Sequence, residues 1–509
     1  MSKNKQILIF SGIGILVLGA VAAVLMLTAP EKESETPEEE ITVSETDESL
    51  IIAESKSPLT RLTVTNSKGT FEITDSGETD ESDKIIYTIK DISKAPLLTE
   101  NLDKAVENAS SMTASQFVEE TDDLKKYGLS EPKATVKAEF SDGSYHSFMI
   151  GDDVPNTTTK VYFTADGKNV YTYLKSSLSY YTGDKFSFVN TVAIPPYEQQ
   201  TNEEVLKLTV ERSDLEEPLI IESIIPEDED IIQVYSYQLT SPYYAYADLQ
   251  NAPNFMYSLY GITADSAQWV GLTETDYELS GLNEPTCVIT VESNVKTYTL
   301  TLGKPVATTV TDEDGNEKTE VSGFYGISSE VPDVLYLFNL EDIPAATIDP
   351  KGLISRLFLM PYIYSLEKVE YSDSEGRAFD MGFETIKGED TVNENGETVK
   401  GEDIHHLYLN GEAGNEELIK DMYQYLISAS GEELYLEEDK GELLATIVYT
   451  YADKEKGADT VSFYSSNEDR KIIISLNGEN LFKTRQMYVT QLYSNVDSFL
   501  SGGEIVHTY

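Results

Sequence analysis

Cysteine is all but missing from this chain of 509 residues: Cys287 stands alone, so no internal disulfide can form and no second thiol is present to build a zinc site. Its neighbours Val288 and Ile289 predict a buried strand residue, with no nearby group to make the thiol reactive. Positive charge is scarce too. Lysine and arginine total 37 against 90 aspartates and glutamates, a net charge of −53, and such a surface is repelled by phosphate backbones and anionic headgroups. Nucleic acid is therefore excluded as an expected partner. Histidine occurs four times, at His146, His405, His406 and His507. Adjacent strand residues face opposite ways, so His405 and His406 cannot easily share one metal ion. His146 is expected as exposed packing beside a turn, and His507 in a frayed terminus. The sequence holds no Gly-x-Ser-x-Gly elbow, no His-Glu-x-x-His pair and no Gly-Lys-Ser/Thr phosphate loop. With 90 acidic residues, a carboxylate pair at any chosen spacing carries no information. The expectation is a non-enzyme with no catalytic, cofactor-binding or metal-ligating residues and no cofactor.

Long apolar runs are absent except for one. Ile7 to Ala29 is uncharged, preceded by Lys3 and Lys5 and followed by Pro30 and Glu31. As a helix it reaches about 35 Å, enough to cross a hydrocarbon layer of about 30 Å. The flanking charges place residues 1–6 in the cytoplasm and the bulk of the chain outside the cell membrane, with 7–29 as a single-pass anchor. A cleaved signal peptide is the competing reading; Ala20-Val21-Ala22 favours it and the length of the run opposes it. Residues 30–58 follow as an acidic, extended, disordered linker, since self-repulsion and few apolar side chains prevent folding.

From Leu59 onward the chain repeats itself. RLTVTNSKG at Arg61, KLTVERSDL at Lys207 and KVEYSDSEG at Lys368 open three similar stretches. These predict α+β modules at 59–200, 201–362 and 363–509, the third diverged. In the first, short alternating strands at 62–66, 70–74 and 84–89 precede a helix whose apolar face is Leu98, Leu102, Val106 and Ala109. Leu418, Met422, Leu426 and Ala429 give the third module a matching helix. Four more strands follow, at 134–140, 145–150, 160–164 and 169–173, turning at Asp142-Gly143 and Asp166-Gly167. A closing helix over 174–181 has expected counterparts near Pro350 and Gln486. The fold class is α+β: tandem modules of mostly antiparallel sheet with covering helices, preceded by one transmembrane helix.

Two of the modules share a joint. KKYGLSEPKATVKAEF returns as YELSGLNEPTCVITVE, each preceded by Gln-Phe-Val or Gln-Trp-Val and followed by an apolar-Gly step at Gly151 or Gly303. A helical turn ending on a left-handed Gly128 or Gly281, with Leu129 or Leu282 packing back and Pro132 or Pro285 barring continuation, accounts for the pattern without any catalytic role.

The apolar span 7–29, Tyr127-Gly128-Leu129 with Pro132, the strands from Ala134 to Phe148, and Ile150-Gly151-Asp152 leading to Tyr162 together resemble the bacterial family known as domain of unknown function 4340. The resemblance is fullest over 59–181 and weaker over 205–357. It implies an accessory or scaffold role beside ABC transporter subunits of the gliding-motility type, and no known chemistry.

Tyrosine, at 33 residues, is abundant. Its densest run, from Tyr235 to Tyr260, offers ring faces and hydroxyls suited to sugars, so Tyr235, Tyr237, Tyr243, Tyr244 and Tyr246 are candidates for binding wall or capsule glycans. The competing reading packs Tyr235 and Tyr237 along a strand and Tyr257 and Tyr260 on a helix. Asp312, Asp314 and Asn316 imitate part of a calcium loop, but their glycine is misplaced for one and a hairpin tip is expected.

Overall fold

The computed structural model describes residues 50–52, 54–113, 116–198, 202–225, 234–311, 317–389, 391–392, 398–399 and 401–508. The apolar run 7–29, most of the acidic linker, and Asp312, Asp314 and Asn316 lie outside these residues. Among the described residues no helix is long and apolar enough to cross a membrane.

The alternating stretches become strands of three large antiparallel sheets. The first module contains β1 (Leu50–Ile52), β2 (Leu59–Asn66), β3 (Gly69–Thr79), β4 (Ile85–Thr88), β5 (Met112–Thr113), β6 (Gln116–Glu120), β7 (Ala134–Phe140), β8 (Tyr145–Asp153), β9 (Lys160–Thr164) and β10 (Asn169–Leu174). The second contains β11 (Val205–Arg212), β12 (Leu219–Ser223), β13 (Tyr237–Ser241), β14 (Ala245–Tyr246), β15 (Ser266–Val270), β16 (Cys287–Ser293), β17 (Thr297–Thr311), β18 (Glu317–Ser328) and β19 (Val334–Asn339). The third contains β20 (Leu366–Asp373), β21 (Ala378–Ile386), a side hairpin of β22 (Thr391–Val392) and β23 (Thr398–Val399), then β24 (Ile404–Leu409), β25 (Glu412–Ala413), β26 (Glu433–Leu434), β27 (Leu443–Tyr451), β28 (Ala458–Ser465), β29 (Lys471–Leu476) and β30 (Glu479–Arg485). Helices α1 (Thr99–Ser110) and α2 (Lys175–Leu178) belong to the first module, α3 (Asn251–Met256) and α4 (Glu274–Ser280) to the second, α5 (Glu416–Ile427) and α6 (Met487–Leu500) to the third.

The three sheets share one strand order, except that the first lacks the short outermost strand that β14 and β25 supply in the other two. It runs β4-β3-β2-β7-β8-β9-β10-β6 in the first, β14-β13-β12-β11-β16-β17-β18-β19-β15 in the second, and β25-β24-β21-β20-β27-β28-β29-β30-β26 in the third. The third module has therefore diverged in sequence and not in topology. Each sheet buries one face. Along β7 that face is Ala134, Val136, Ala138 and Phe140, and along β16 it is Cys287, Ile289 and Val291. Leu102, Ala105, Val106 and Ala109 of α1, and Ile419, Met422 and Leu426 of α5, join these cores. This follows from an amphipathic helix meeting a half-buried sheet.

Two expectations are corrected. A further strand follows each main helix and crosses to the far edge of the sheet, where β6 pairs with β10 and β15 with β19. The four-strand count omits it because β6 is an edge strand whose residues are mostly exposed, and it lacks the alternation that betrays a buried face. In the second module a helical turn does begin at the expected Pro350, after two earlier ones from Leu340 and Pro344; the second correction is that Leu50 to Ile52, within the segment 30–58 expected as a disordered linker, form β1 and pair with β5.

The glycine joints have the expected geometry. Gly128 caps the turn Leu124–Tyr127 at φ 67°, and Gly281 caps α4 at φ 76°. Leu129 and Leu282 are buried, and their amides return to Leu124 and Tyr277 at 3.1 and 2.9 Å. Pro132 and Pro285 stand just ahead of β7 and β16. Gly151 and Gly303 complete the joint, because a Cβ there would stand 2.2 Å from the carbonyl oxygen of Tyr127 or 2.1 Å from that of Ser280.

Successive modules are tied by straps built alike. Asp184 and Asp349 cap short turns, accepting from the amides of Phe186 and Lys351 at 2.9 and 3.0 Å. Val189 then bridges Leu97 ahead of α1, as Ile354 bridges Ala247 ahead of α3. The strap next engages the following module: Ala264 donates to the Thr191 carbonyl at 2.8 Å, and Gly431 to that of Arg356 at 2.9 Å. In the first module β1 occupies the corresponding place. It pairs with β5, just after α1, while Val192 bridges Thr263 in the second module. Tyrosine hydroxyls fasten both straps, from Tyr336 to the Asn190 carbonyl at 3.0 Å, and from Tyr235 and Tyr423 to the carbonyls of Leu357 and Pro361.

Candidate functional site

The second strap brings the tyrosine-rich hairpin of module two against the third sheet and leaves a groove between them. Its near wall is the turn from β13 to β14, where Gln238 faces Tyr246 across the ladder and Leu239 faces Ala245. The Tyr246 ring stacks on Tyr235, with centroids 4.3 Å apart and planes 11° from parallel. Desolvation, reinforced by the charge of Asp459, pushes the Tyr246 hydroxyl up to about 12. Tyr244 stands at the mouth, 78% exposed, which leaves its ring available.

The far wall comes from the third module. Asp459, at the start of β28, accepts from the Tyr451 hydroxyl at 2.7 Å and from Asn477 Nδ2 at 2.8 Å. Asn477 in turn accepts from the Thr460 amide at 2.8 Å, so the β29–β30 turn and the β28 entry form one hydrogen-bonded unit. Asn477-Gly478 has positive φ at both residues, as a tight hairpin turn requires, and this fixes Asn477 at the tip. Lys456 lies over the Tyr451 ring, 4.1 Å from its centroid. Glu479 adds a second carboxylate, while Leu359, Leu476 and Leu481 give an apolar floor. The groove, open on one side, has a volume of about 280 Å³. Ring faces, carboxylates, amides and one ammonium group thus converge on a space of ligand size.

Of the sequence-derived candidates, Tyr244 and Tyr246 line this groove and Tyr235 supports Tyr246 from behind. Tyr243 packs partly buried against the core instead. Tyr237, at the head of β13, is also half-buried, and its hydroxyl is raised to about 12 by desolvation and by neighbouring Tyr257. Tyr257 and Tyr260 form a cluster of rings with Tyr197 and Tyr298, and Tyr260 donates to Glu203 at 2.7 Å. Packing therefore accounts for part of the aromatic run and the groove for the rest. Sequence reasoning missed Lys456, Asp459, Asn477 and Glu479, for which the only local signal is the Asn-Gly turn.

The remaining reactive groups sit elsewhere. Cys287 is buried, and desolvation raises its thiol to about 12 although Arg212 opposes the shift, so it is a poor nucleophile. His405 stacks on Tyr364 at 3.6 Å. His146 is half-buried, not exposed: its ring meets Phe140 edge-on at 4.8 Å and Nδ1 lies 3.3 Å from the Ala109 carbonyl. His507 meets Tyr425 edge-on at 6.3 Å, and Asn495 holds the nearby backbone of Val506 through two hydrogen bonds, so this end is anchored. Among the described residues no three His, Cys, Asp or Glu side chains gather as a metal cluster.

Fold and groove together define a tandem array of antiparallel α+β modules with a cleft at its second junction. Residues 88–218 match the family described as Domain of unknown function (DUF4340), which bears out the resemblance over a stretch running from the end of β4, through the first glycine joint and strap, to the β11–β12 turn. No curated protein and no solved structure matches the chain.

Proposed function

We propose that this is a non-enzymatic, single-pass envelope protein whose extracytoplasmic modules act as an accessory or scaffold subunit of an ABC-type membrane transport complex. The observation that carries the reading is repetition: one sheet order occurs three times, joined twice by the same strap. Such an array supplies extended surface at fixed spacing, which suits holding partners together. Further support comes from the apolar run 7–29 with its lysines, from an acidic linker that enters the array at β1, and from what the family resemblance implies about neighbouring transporter subunits. The glycan-binding alternative rests on the groove alone.

The test is purification of the full-length protein from its own cells in mild detergent, with crosslinking and mass spectrometry of its companions. Recovery of a transporter ATPase and permease is expected. Recovery of no membrane partner would end the scaffold reading. For the topology, protease added to intact cells is expected to remove most of the chain, and full protection would reverse the orientation.

A further inference from the structure

We infer that the groove at the second junction binds a saccharide that is uncharged or carries a free amino group. A pyranose has an apolar C–H face and a rim of hydroxyls. The exposed ring of Tyr244 and the supported ring of Tyr246 suit the face, while Asp459, Asn477, Glu479 and Gln238 suit the rim. Asp459 and Asn477 are already fixed by Tyr451 and the Thr460 amide, so their spare acceptor positions need little ordering before a ligand is engaged.

Charge decides the class of sugar. The groove holds two carboxylates and one ammonium group within a protein of net charge −53, so uronic acids and phosphate-bearing polymers are repelled. The turn that makes the near wall has no counterpart among the described residues of the first module. In the first sheet the edge strand is β4, with no β14-like strand beyond it. The repeated strap by itself does not create the groove; the β13–β14 turn does. A ligand seated there touches modules two and three at once, and so couples them. This inference is independent of the transport-complex reading, which stands if the inference fails.

The experiment is calorimetric titration of the full-length protein in detergent with chitotriose, its deacetylated glucosamine trimer, a galacturonic acid trimer, and trilysine as a cationic non-sugar. Saturable binding of at least one of the first two is expected, with Kd of about 1 mM or tighter. Tyr244→Ala, at an exposed position that leaves the fold intact, is expected to weaken it about tenfold, a loss of about 1.4 kcal/mol, and Tyr244→Trp to restore it. Glu479→Gln is expected to weaken the amino sugar more than the acetylated one. No saturable binding of either sugar, unchanged binding by Tyr244→Ala, equal binding of the galacturonic acid trimer, or binding of trilysine in place of the sugars would each overturn the inference.

Discussion

Asp373, at the turn between β20 and β21, has a fully buried carboxylate that accepts from the Tyr371 hydroxyl and from Arg377 Nε, both at 2.7 Å, and from two backbone amides. Arg377 reaches on to Asp497 and the Tyr493 carbonyl, lying over the Tyr493 ring, so the pair pins α6 to the sheet. Burial alone would raise the Asp373 carboxyl, but the hydrogen bonds from Tyr371 and Arg377 outweigh it and hold the group below its usual range. A depressed carboxylate stabilises the fold above its unfolded value and loses that contribution as pH falls through the folded one. Third-module stability is accordingly expected to decline below about pH 4, and the decline to be shallower in Asp373→Asn, as followed by melting across a pH series. Arg377→Ala strands the buried carboxylate and is expected to cost about 3 kcal/mol in chemical denaturation. None of this was legible in the sequence, where Asp373 and Arg377 look like ordinary turn residues. Cys287 was legible, because its apolar neighbours alone indicate a buried strand.

Among elements, the glycine joints were the most legible because every part of them is local: a turn, a left-handed glycine, a returning leucine and a proline. Gly151 and Gly303 were recognised as part of the pattern, but the reason for them is not local, since each lies under a carbonyl oxygen of the joint itself. Gly151→Ala and Gly303→Ala should each destabilise their own module by about 1–3 kcal/mol through steric overlap with backbone. Gly128→Ala and Gly281→Ala should cost about 1 kcal/mol for the left-handed conformation, with a further cost for displacing the Asp152 or Lys304 side chain, which a Cβ would meet at 2.4 and 2.7 Å. Calorimetry resolving separate transitions would check both pairs, and no measurable loss in Gly151→Ala or Gly303→Ala would contradict the close approach. The strands β6, β15 and β26 were not legible as a set. They are short edge strands placed by crossing the whole sheet, and periodicity reports a buried face, not a neighbour.

At the scale of the whole molecule, three openings and one α+β class could be read from sequence, but the shared sheet order and the straps could not, because they are pairings between distant stretches. Nor could the groove, whose walls come from different modules. Charge was legible, and it makes a prediction: with a net charge of −53, self-repulsion opposes folding, so raising sodium chloride from low ionic strength is expected to raise the melting temperature. A fall would show that the surface ion pairs, such as Lys133 and Lys175 on Asp153, outweigh that repulsion. The straps also impose an order on synthesis. Thr191 to Ile194 are made before Ile262 to Ala264, the backbone groups that receive them, exist. The first two nascent modules must therefore each wait with a trailing segment unclaimed until the helix of the next has been translated, which leaves the residues after Val189 and after Ile354 open to a chaperone or a protease in the growing chain.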